Sequence, residues 1–181
     1  MKFVELKSFY IVSDIKEHMK NKMLLLSMIN QMPHSNIENN NFESISKTDW
    51  NLDKNIERPY SKLFFEMIED TLNDMAHKMK HNKLSVANFW YQIYGKGGHH
   101  EWHTHSKTNW TNIYYLHLEN KKAVTELYDI QNEKILEQIE VKEGQLLTFS
   151  GNVIHRSPKN DSNLKAIISF NTNFGDTSLT I

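Results

Sequence analysis

The chain has 181 residues, of which 39% are hydrophobic and 24% charged, a balance typical of a globular protein that can bury a core. Its formal net charge is −1, so no bulk electrostatic field favours nucleic acid or a membrane surface as a partner. It contains no cysteine, which excludes disulfides, thiolate metal sites and cysteine nucleophiles and leaves His, Asp and Glu as the available metal ligands.

The N-terminal part of the chain predicts one strand and two helices. Phe3 to Val12 is rich in β-forming residues and predicts the strand. Asp14 and Glu17, three residues apart, predict a capping box at the start of an amphipathic helix that ends before Pro33. A second amphipathic pattern predicts a helix from Pro59 to about Lys80. The asparagine-rich segment between the helices has little periodicity and predicts loops.

From Leu84 onward, the residue pattern predicts β-structure. Two helices followed by about seven or eight short strands are typical of a β-sandwich or jelly roll with the helices packed on one sheet. We therefore expect a single domain over residues 1–181, with a helical support region at 1–83 and a β core at 84–175. The main predicted strands are Leu84–Tyr94, Asn112–Leu118, Val124–Tyr128, Lys134–Val141, Gln145–Phe149 and Leu164–Asn171.

Four histidines lie within seven positions: His99, His100, His103 and His105. Alternate side chains of a strand point to the same face, so His103-x-His105 would aim two imidazoles at one point. His155 follows a predicted strand after a short glycine-containing turn, and we predict it as the third ligand. Neutral imidazoles bind iron, zinc, nickel and copper, so the pattern predicts a metal site without selecting the metal. Histidines exposed on a polar turn are the alternative interpretation.

Motifs around these histidines resemble a known family over about residues 88–174. The family is the 2-oxoglutarate/Fe(II)-dependent oxygenases related to prolyl hydroxylases, and the group most similar to this chain is found in marine bacteria and their phages. The order and spacing of the motifs carry the resemblance, because none of them is decisive alone. The motifs are Gly97-x-x-His100-x-x-His103-x-His105, Thr111–Leu116, Glu143–Phe149, His155–Pro158 and Lys165–Asn171.

The resemblance implies a double-stranded β-helix that holds Fe(II) through His103 and His155. It also implies 2-oxoglutarate as cosubstrate, with its far carboxylate meeting Lys165, where the family usually has Arg or Lys. Tyr94 and Tyr115 fall where prolyl-hydroxylase-like enzymes place tyrosines that hydrogen-bond the cosubstrate. Packing inside the barrel is the alternative role for both tyrosines.

His105 departs from the pattern of the wider superfamily, in which an Asp or Glu completes a site of two histidines and one carboxylate. The most similar group also tends to have histidine there, so the resemblance implies His105 as the third ligand. Three histidines suit zinc as well as iron. Glu101 could supply a carboxylate instead, or lie behind the ligands.

The resemblance implies an oxygenase that hydroxylates a C–H bond of an amino-acid side chain or small molecule, releasing succinate and CO₂. A cupin-type metal protein is one alternative, although the glutamate expected after His105 and the Pro-x-Gly expected before His155 are missing. A non-catalytic structural metal site is the other. An inward-pointing Lys165 would distinguish the oxygenase, because a site that binds only metal has no use for it.

The N-terminal sequence lacks the apolar core of a signal peptide, and the longest apolar run, Met23 to Leu26, is too short to span a bilayer. We therefore expect a cytoplasmic protein with no membrane partner. The expected partners are the small-molecule cosubstrate and a primary substrate that the sequence does not identify. The sequence also argues against a nucleic-acid partner, since it has no basic-aromatic pattern, and it leaves the oligomeric state open.

Overall fold

The computed structural model describes residues 1–2, 8–37, 42–81, 84–105, 107–136 and 139–174. The helices are α1 (His18–Gln31) and α2 (Pro59–Lys78), and a short 3-10 helix covers Lys121–Ala123. The strands are β1 (Tyr10–Asp14), β2 (Ser35–Ile37), β3 (Glu43–Thr48), β4 (Leu84–Tyr94), β5 (His99–His103), β6 (Trp110–Leu118), β7 (Glu126–Asp129), β8 (Lys134–Ile135), β9 (Gln145–Ser150), β10 (Ile154–Ser157) and β11 (Lys165–Phe174).

The N-terminal region differs from the sequence expectation in two ways. The segment between the helices, predicted as loops, contains β2 and β3, which join the sheets. In addition, the predicted capping box is wrong, because α1 begins at His18 and its N-cap, Glu17, makes no side-chain capping hydrogen bond. Asp14 instead ends β1, where its Oδ1 accepts a 2.8 Å hydrogen bond from Gln145 Nε2 of β9. Residues 3–7 of the strand predicted over Phe3–Val12 lie outside the described residues.

The strands form a curled antiparallel sheet whose two halves share β3. One half has the order β1-β9-β6-β11-β4-β3, with β2 also paired to β3, and the other has the order β3-β5-β10-β7-β8. β3 joins the halves because Lys47 and Thr48 pair with β4, whereas Glu43 and Ser44 pair with β5. This arrangement confirms the predicted jelly roll with two helices.

Alternation along the central strands separates two cores. On β6, Tyr114 and Leu116 belong to the core that packs against the helices, whereas Ile113 and Tyr115 belong to the core inside the curl. α2 contributes a buried stripe to the first core: Tyr60, Phe64, Ile68, Leu72 and Met75. Each central strand therefore supports the helices with one face and lines the interior with the other. Among the described residues, neither helix is long and apolar enough to cross a membrane.

Candidate metal centre

The structure brings His103, His105 and His155 together. His103 of β5 and His155 of β10 are cross-strand partners, and their ring centroids are 4.2 Å apart. His105 lies two residues beyond β5, with its ring centroid 5.2 Å from that of His103 and 5.1 Å from that of His155. One nitrogen from each ring lies within 4.8 Å of the other two, a grouping that could hold a metal ion.

A glycine allows the approach that places His105. The backbone N–H of His105 donates to the carbonyl oxygen of Gly151 at 2.8 Å. A Cβ on Gly151 would lie 2.5 Å from the carbonyl oxygen of Thr108 and 2.7 Å from that of His105. Any larger residue at 151 would therefore displace the segment that carries the third histidine.

Hydrogen bonds orient the imidazoles of His103 and His155. His103 Nδ1 lies 2.7 Å from the carbonyl oxygen of Glu101, and His155 Nδ1 lies 3.0 Å from that of Val153. A carbonyl oxygen can only accept, so both Nδ1 atoms carry the proton and both Nε2 atoms offer lone pairs. This pattern is typical of metal-binding histidines, whose second nitrogen is held by a polar partner.

Burial keeps the clustered histidines neutral at physiological pH. It lowers the pKa of His103, and it lowers the pKa of His105 to about 4, with the neighbouring His103 adding to the effect. Burial and then His103 also place the pKa of His155 well below its usual value. A neutral imidazole is the form that binds metal, so the environment favours the ligand state.

A cavity of about 260 Å³ opens beside the three histidines, inside the curl of the sheet. Its lining includes the Trp90, Gln92 and Tyr94 side chains of β4, which share one face because they occupy alternate positions. The Trp90 indole and Gln92 amide nitrogens are buried, and neither has a hydrogen-bond partner among the described residues. Donors at such positions are satisfied by water or by the oxygen atoms of a bound ligand.

Lys165 lies fully buried at the start of β11, behind the cavity wall. Its Nζ donates to Ser157 Oγ at 2.8 Å and to the carbonyl oxygen of Ala123 at 2.5 Å, and it lies 5.1 Å from the centroid of the Tyr94 ring. Burial lowers the pKa of Lys165 to about 7, although the charge of Glu126 opposes this. Among the described residues no carboxylate forms a salt bridge with Lys165, so the site can accept an anion.

The two candidate tyrosines differ in their access to the cavity. Tyr94 is part of the lining, and burial raises the pKa of its hydroxyl. The Tyr115 hydroxyl donates to Thr125 Oγ1 at 2.8 Å and accepts from the Thr125 backbone N–H at 2.9 Å. Thr125 lines the cavity, so the Tyr115 hydroxyl contacts a lining residue and not the cavity itself. The Glu101 carboxylate, considered above as a ligand, lies 3.8 Å from the guanidinium group of Arg156.

Two tryptophans extend the site toward its mouth. The Trp90 ring stacks on His105 with centroids 5.8 Å apart and planes 11° apart, and Trp50 stacks on Trp90 with centroids 5.9 Å apart. Neither tryptophan is among the site residues predicted from the sequence, and the segment around Trp50 has no periodic pattern. Asn171, whose amide nitrogen lies 3.0 Å from His105 Nδ1, was also not predicted as a site residue.

The sequence matches no protein-family description and no curated protein. Solved structures are similar in fold. A prolyl-4-hydroxylase from Pseudomonas putida superposes with a TM-score of 0.65 at 9% identity, covering 92% of this chain and 93% of that one. A Trichoplax adhaerens prolyl hydroxylase in complex with a hypoxia inducible factor peptide fragment gives a TM-score of 0.66 at 14% identity, covering 92% and 83%. A 2OG-Fe(II) oxygenase family protein from Burkholderia pseudomallei gives 0.68 at 8% identity, covering 91% and 85%.

These matches confirm, at the level of fold, the resemblance to prolyl hydroxylases and 2OG-Fe(II) oxygenases. They cover both the helical layer and the curled sheet, since more than nine-tenths of the chain is included in each. At identities of 8–14% they carry no residue roles, which must come from the geometry of this chain.

Proposed function

We propose that this protein is an Fe(II)/2-oxoglutarate-dependent oxygenase that hydroxylates a C–H bond and releases succinate and CO₂. The observation that carries the proposal is the group of three neutral histidines on the wall of a cavity inside a jelly roll. A cytoplasmic location and a single domain over residues 1–181 are part of the same proposal.

The donor set fits a divalent transition metal. Two of the three imidazoles have a fixed Nε2 lone pair, and burial holds all three neutral. Three protein ligands leave coordination positions open for other molecules, as catalytic sites require. His103, His105 and His155 would hold the metal, and zinc would compete with iron for three nitrogen ligands.

The chain also fits an anionic cosubstrate such as 2-oxoglutarate. Lys165 and Ser157 would receive one carboxylate, because a buried amino group that forms no salt bridge among the described residues gains from an anion beside it. The unpartnered Trp90 and Gln92 donors would meet further oxygen atoms in the cavity. The Tyr94 ring lines the cavity and lies beside Lys165 Nζ, so it would close the cavity on the side of Lys165.

Iron and 2-oxoglutarate, when bound with O₂, would supply the oxidising chemistry that breaks the C–H bond. The residues of this chain would hold the metal, orient the cosubstrate and shield the reacting atoms from water. The three histidines fix the metal position, and Lys165 fixes the far end of the cosubstrate. Ile113 and Ile167 line the cavity with apolar surface and help to exclude water from the reacting atoms.

The primary substrate is proposed to be an amino-acid side chain, free or within a protein, or another small molecule. One structural neighbour is a prolyl hydroxylase in complex with a peptide fragment, which supports an amino-acid side chain. A cupin-type or purely structural metal protein is less favoured, because neither accounts for a buried Lys165 that forms no salt bridge with a carboxylate among the described residues.

The proposal is tested by Co(II) titration together with a succinate-release assay in the presence of Fe(II), 2-oxoglutarate and O₂. We expect the wild type to bind one Co(II) and to form succinate, even without primary substrate, at a slow uncoupled rate. His103→Ala and His155→Ala should abolish both. His77→Ala, on the exposed surface of α2, is the matched control and should change neither. Metal binding that survives both site variants would refute the three-histidine site.

A further inference from the structure

The third histidine of the metal centre is oriented differently from the other two. Nδ1 of His103 and of His155 meets a backbone carbonyl two residues earlier in its own strand or turn. His105 lies beyond the end of β5, and its Nδ1 meets a side chain from another strand, the amide of Asn171. The partner of His105 can therefore donate or accept, whereas the partners of His103 and His155 can only accept.

The two ends of an amide have opposite consequences for the metal. With its nitrogen toward His105, 3.0 Å away as in this structure, Asn171 donates to Nδ1, and the ring proton lies on Nε2. Nε2 then has no lone pair for a metal. With its oxygen toward His105, Asn171 accepts the Nδ1 proton and leaves Nε2 free, as in His103 and His155. The two orientations have the same shape, so the hydrogen-bond network selects between them.

The surroundings of Asn171 support either orientation. Its side chain is 2% exposed and lies on β11 between Asn88 of β4 and Thr111 of β6. The Thr111 hydroxyl, 3.3 Å from Asn171 Oδ1, can accept as well as donate. The Asn88 amide, 2.8 Å from Asn171 Nδ2, belongs to an exposed residue and can turn. Reversing the Asn171 amide therefore keeps the three contacts and exchanges the donor and acceptor in each.

We propose that Asn171 is the positioning residue for His105, and that its carbonyl oxygen turns to the imidazole N–H when a metal occupies the three-histidine site. The inference rests on the proposed metal site. A carboxylate at position 105 would have no second ring nitrogen to orient. Histidine at this position creates that requirement, and Asn171 is the side chain that meets it.

Two substitutions at one position separate this role from simple packing. Asn171→Leu removes the acceptor, and we expect it to weaken Co(II) binding by about 10- to 100-fold, the usual cost of losing the partner of a metal-binding histidine. Asn171→Asp keeps an acceptor and cannot donate, so its Co(II) affinity should equal or exceed that of the wild type. Equal Co(II) affinity in the Asp and Leu variants would mean that residue 171 only packs or that it must donate to Nδ1, and would overturn the proposal.

Asn112 provides the matched control. It is a fully buried asparagine on β6 that donates to Thr172 Oγ1 at 3.0 Å and to the Phe170 carbonyl oxygen at 3.2 Å. Asn112→Leu should lower the thermal unfolding temperature and leave the Co(II) affinity of the folded protein unchanged. If Asn112→Leu weakens Co(II) binding as much as Asn171→Leu does, the effect is a general loosening of the sheet and the proposal fails.

A measurement on the wild type avoids dependence on the folding of any variant. In long-range ¹⁵N–¹H spectra of histidine-labelled protein, the Zn(II) form should show His105 with a protonated Nδ1 and a metal-bound Nε2. A Zn(II) form with His105 protonated on Nε2 would overturn the proposal. Failure of the metal site itself looks different, since His103→Ala would then leave Co(II) binding intact. Loss of binding in His103→Ala, with Asn171→Leu unaffected, refutes only the role of Asn171.

Discussion

Lys165 is fully buried, forms no salt bridge with a carboxylate among the described residues, and has its pKa lowered to about 7 by burial. An anion bound beside it would favour its protonated form. We expect Lys165→Met to weaken 2-oxoglutarate binding by about 10- to 100-fold, since a hydrogen bond to a charged group contributes about 1.5–3 kcal/mol. The methionine keeps the length and apolar stem of the side chain, so Co(II) affinity should stay near the wild-type value. Calorimetric titration of each ligand into each protein measures both.

Lys78→Met, at the exposed end of α2, is the control for the loss of one positive charge and should affect neither ligand. A parallel loss of Co(II) and 2-oxoglutarate affinity in Lys165→Met would show that Lys165 supports the structure of the site and does not bind the cosubstrate.

Sequence reasoning at the residue scale works where a pattern fixes the direction of a side chain. Alternation along the last long strand predicts that Lys165 faces away from Ala166 and Ile168, which pack under the helices. It does not predict hydrogen-bond partners contributed by distant segments. The occupation of the Tyr115 hydroxyl by Thr125 is one such case, and the contact of Asn171 with His105 is another.

At the scale of elements, the His-x-His pattern predicts that two imidazoles lie close, but the pairing of β5 with β10 supplies the third. The sequence contains no signal for the register that places His155 opposite His103. β3 was missed for a related reason: its sequence, Glu-Ser-Ile-Ser-Lys-Thr, has one apolar residue, Ile45. Pairing with β4 and β5 makes this segment a strand despite its weak propensity.

Glu143 links α1 to β6 through contacts that should weaken at acidic pH. Its Oε1 accepts from Lys22 Nζ of α1 at 2.6 Å, and its Oε2 accepts from the Leu118 backbone N–H of β6 at 3.0 Å. Partial burial raises the pKa of Glu143, but the hydrogen bonds from Lys22 and Leu118 outweigh burial and lower it to about 2. A depressed carboxyl pKa contributes stability above about pH 4.5 that is lost as the pH falls toward 2.

We therefore expect Glu143→Gln to lower the free energy of unfolding at pH 7 and to flatten its decline between pH 4.5 and 2, because glutamine does not titrate. Urea unfolding at a series of pH values gives this slope. Glu69→Gln, an exposed substitution on α2, should follow the wild-type curve. An unchanged slope in Glu143→Gln would mean that other carboxylates determine how the free energy of unfolding declines at low pH.

At the scale of the whole molecule, the central strands pack against the helices with one face and line the cavity with the other. On β11, Ile168 and Phe170 face α2, whereas Ile167 and Ser169 line the cavity. This division explains why the fold was predictable: periods of about 3.6 and 2 are visible in the sequence before any contact is known. The curl that closes the cavity depends on pairings between segments far apart in the chain, and these become visible only in the structure.

Metal binding should stabilise the whole chain against unfolding. The three ligands come from β5, the turn after it and β10, so only the folded chain brings them together. A metal that binds the folded chain at about 100 times its Kd should stabilise it by about 2.7 kcal/mol. For a protein of this size, about 2–4 °C per kcal/mol corresponds to a rise in Tm of about 5–11 °C. Thermal unfolding with and without Co(II) measures the shift, and a chelator should reverse it. A doubly substituted protein, His103→Ala with His155→Ala, should show no rise, and a rise equal to that of the wild type would place the bound metal elsewhere in the molecule.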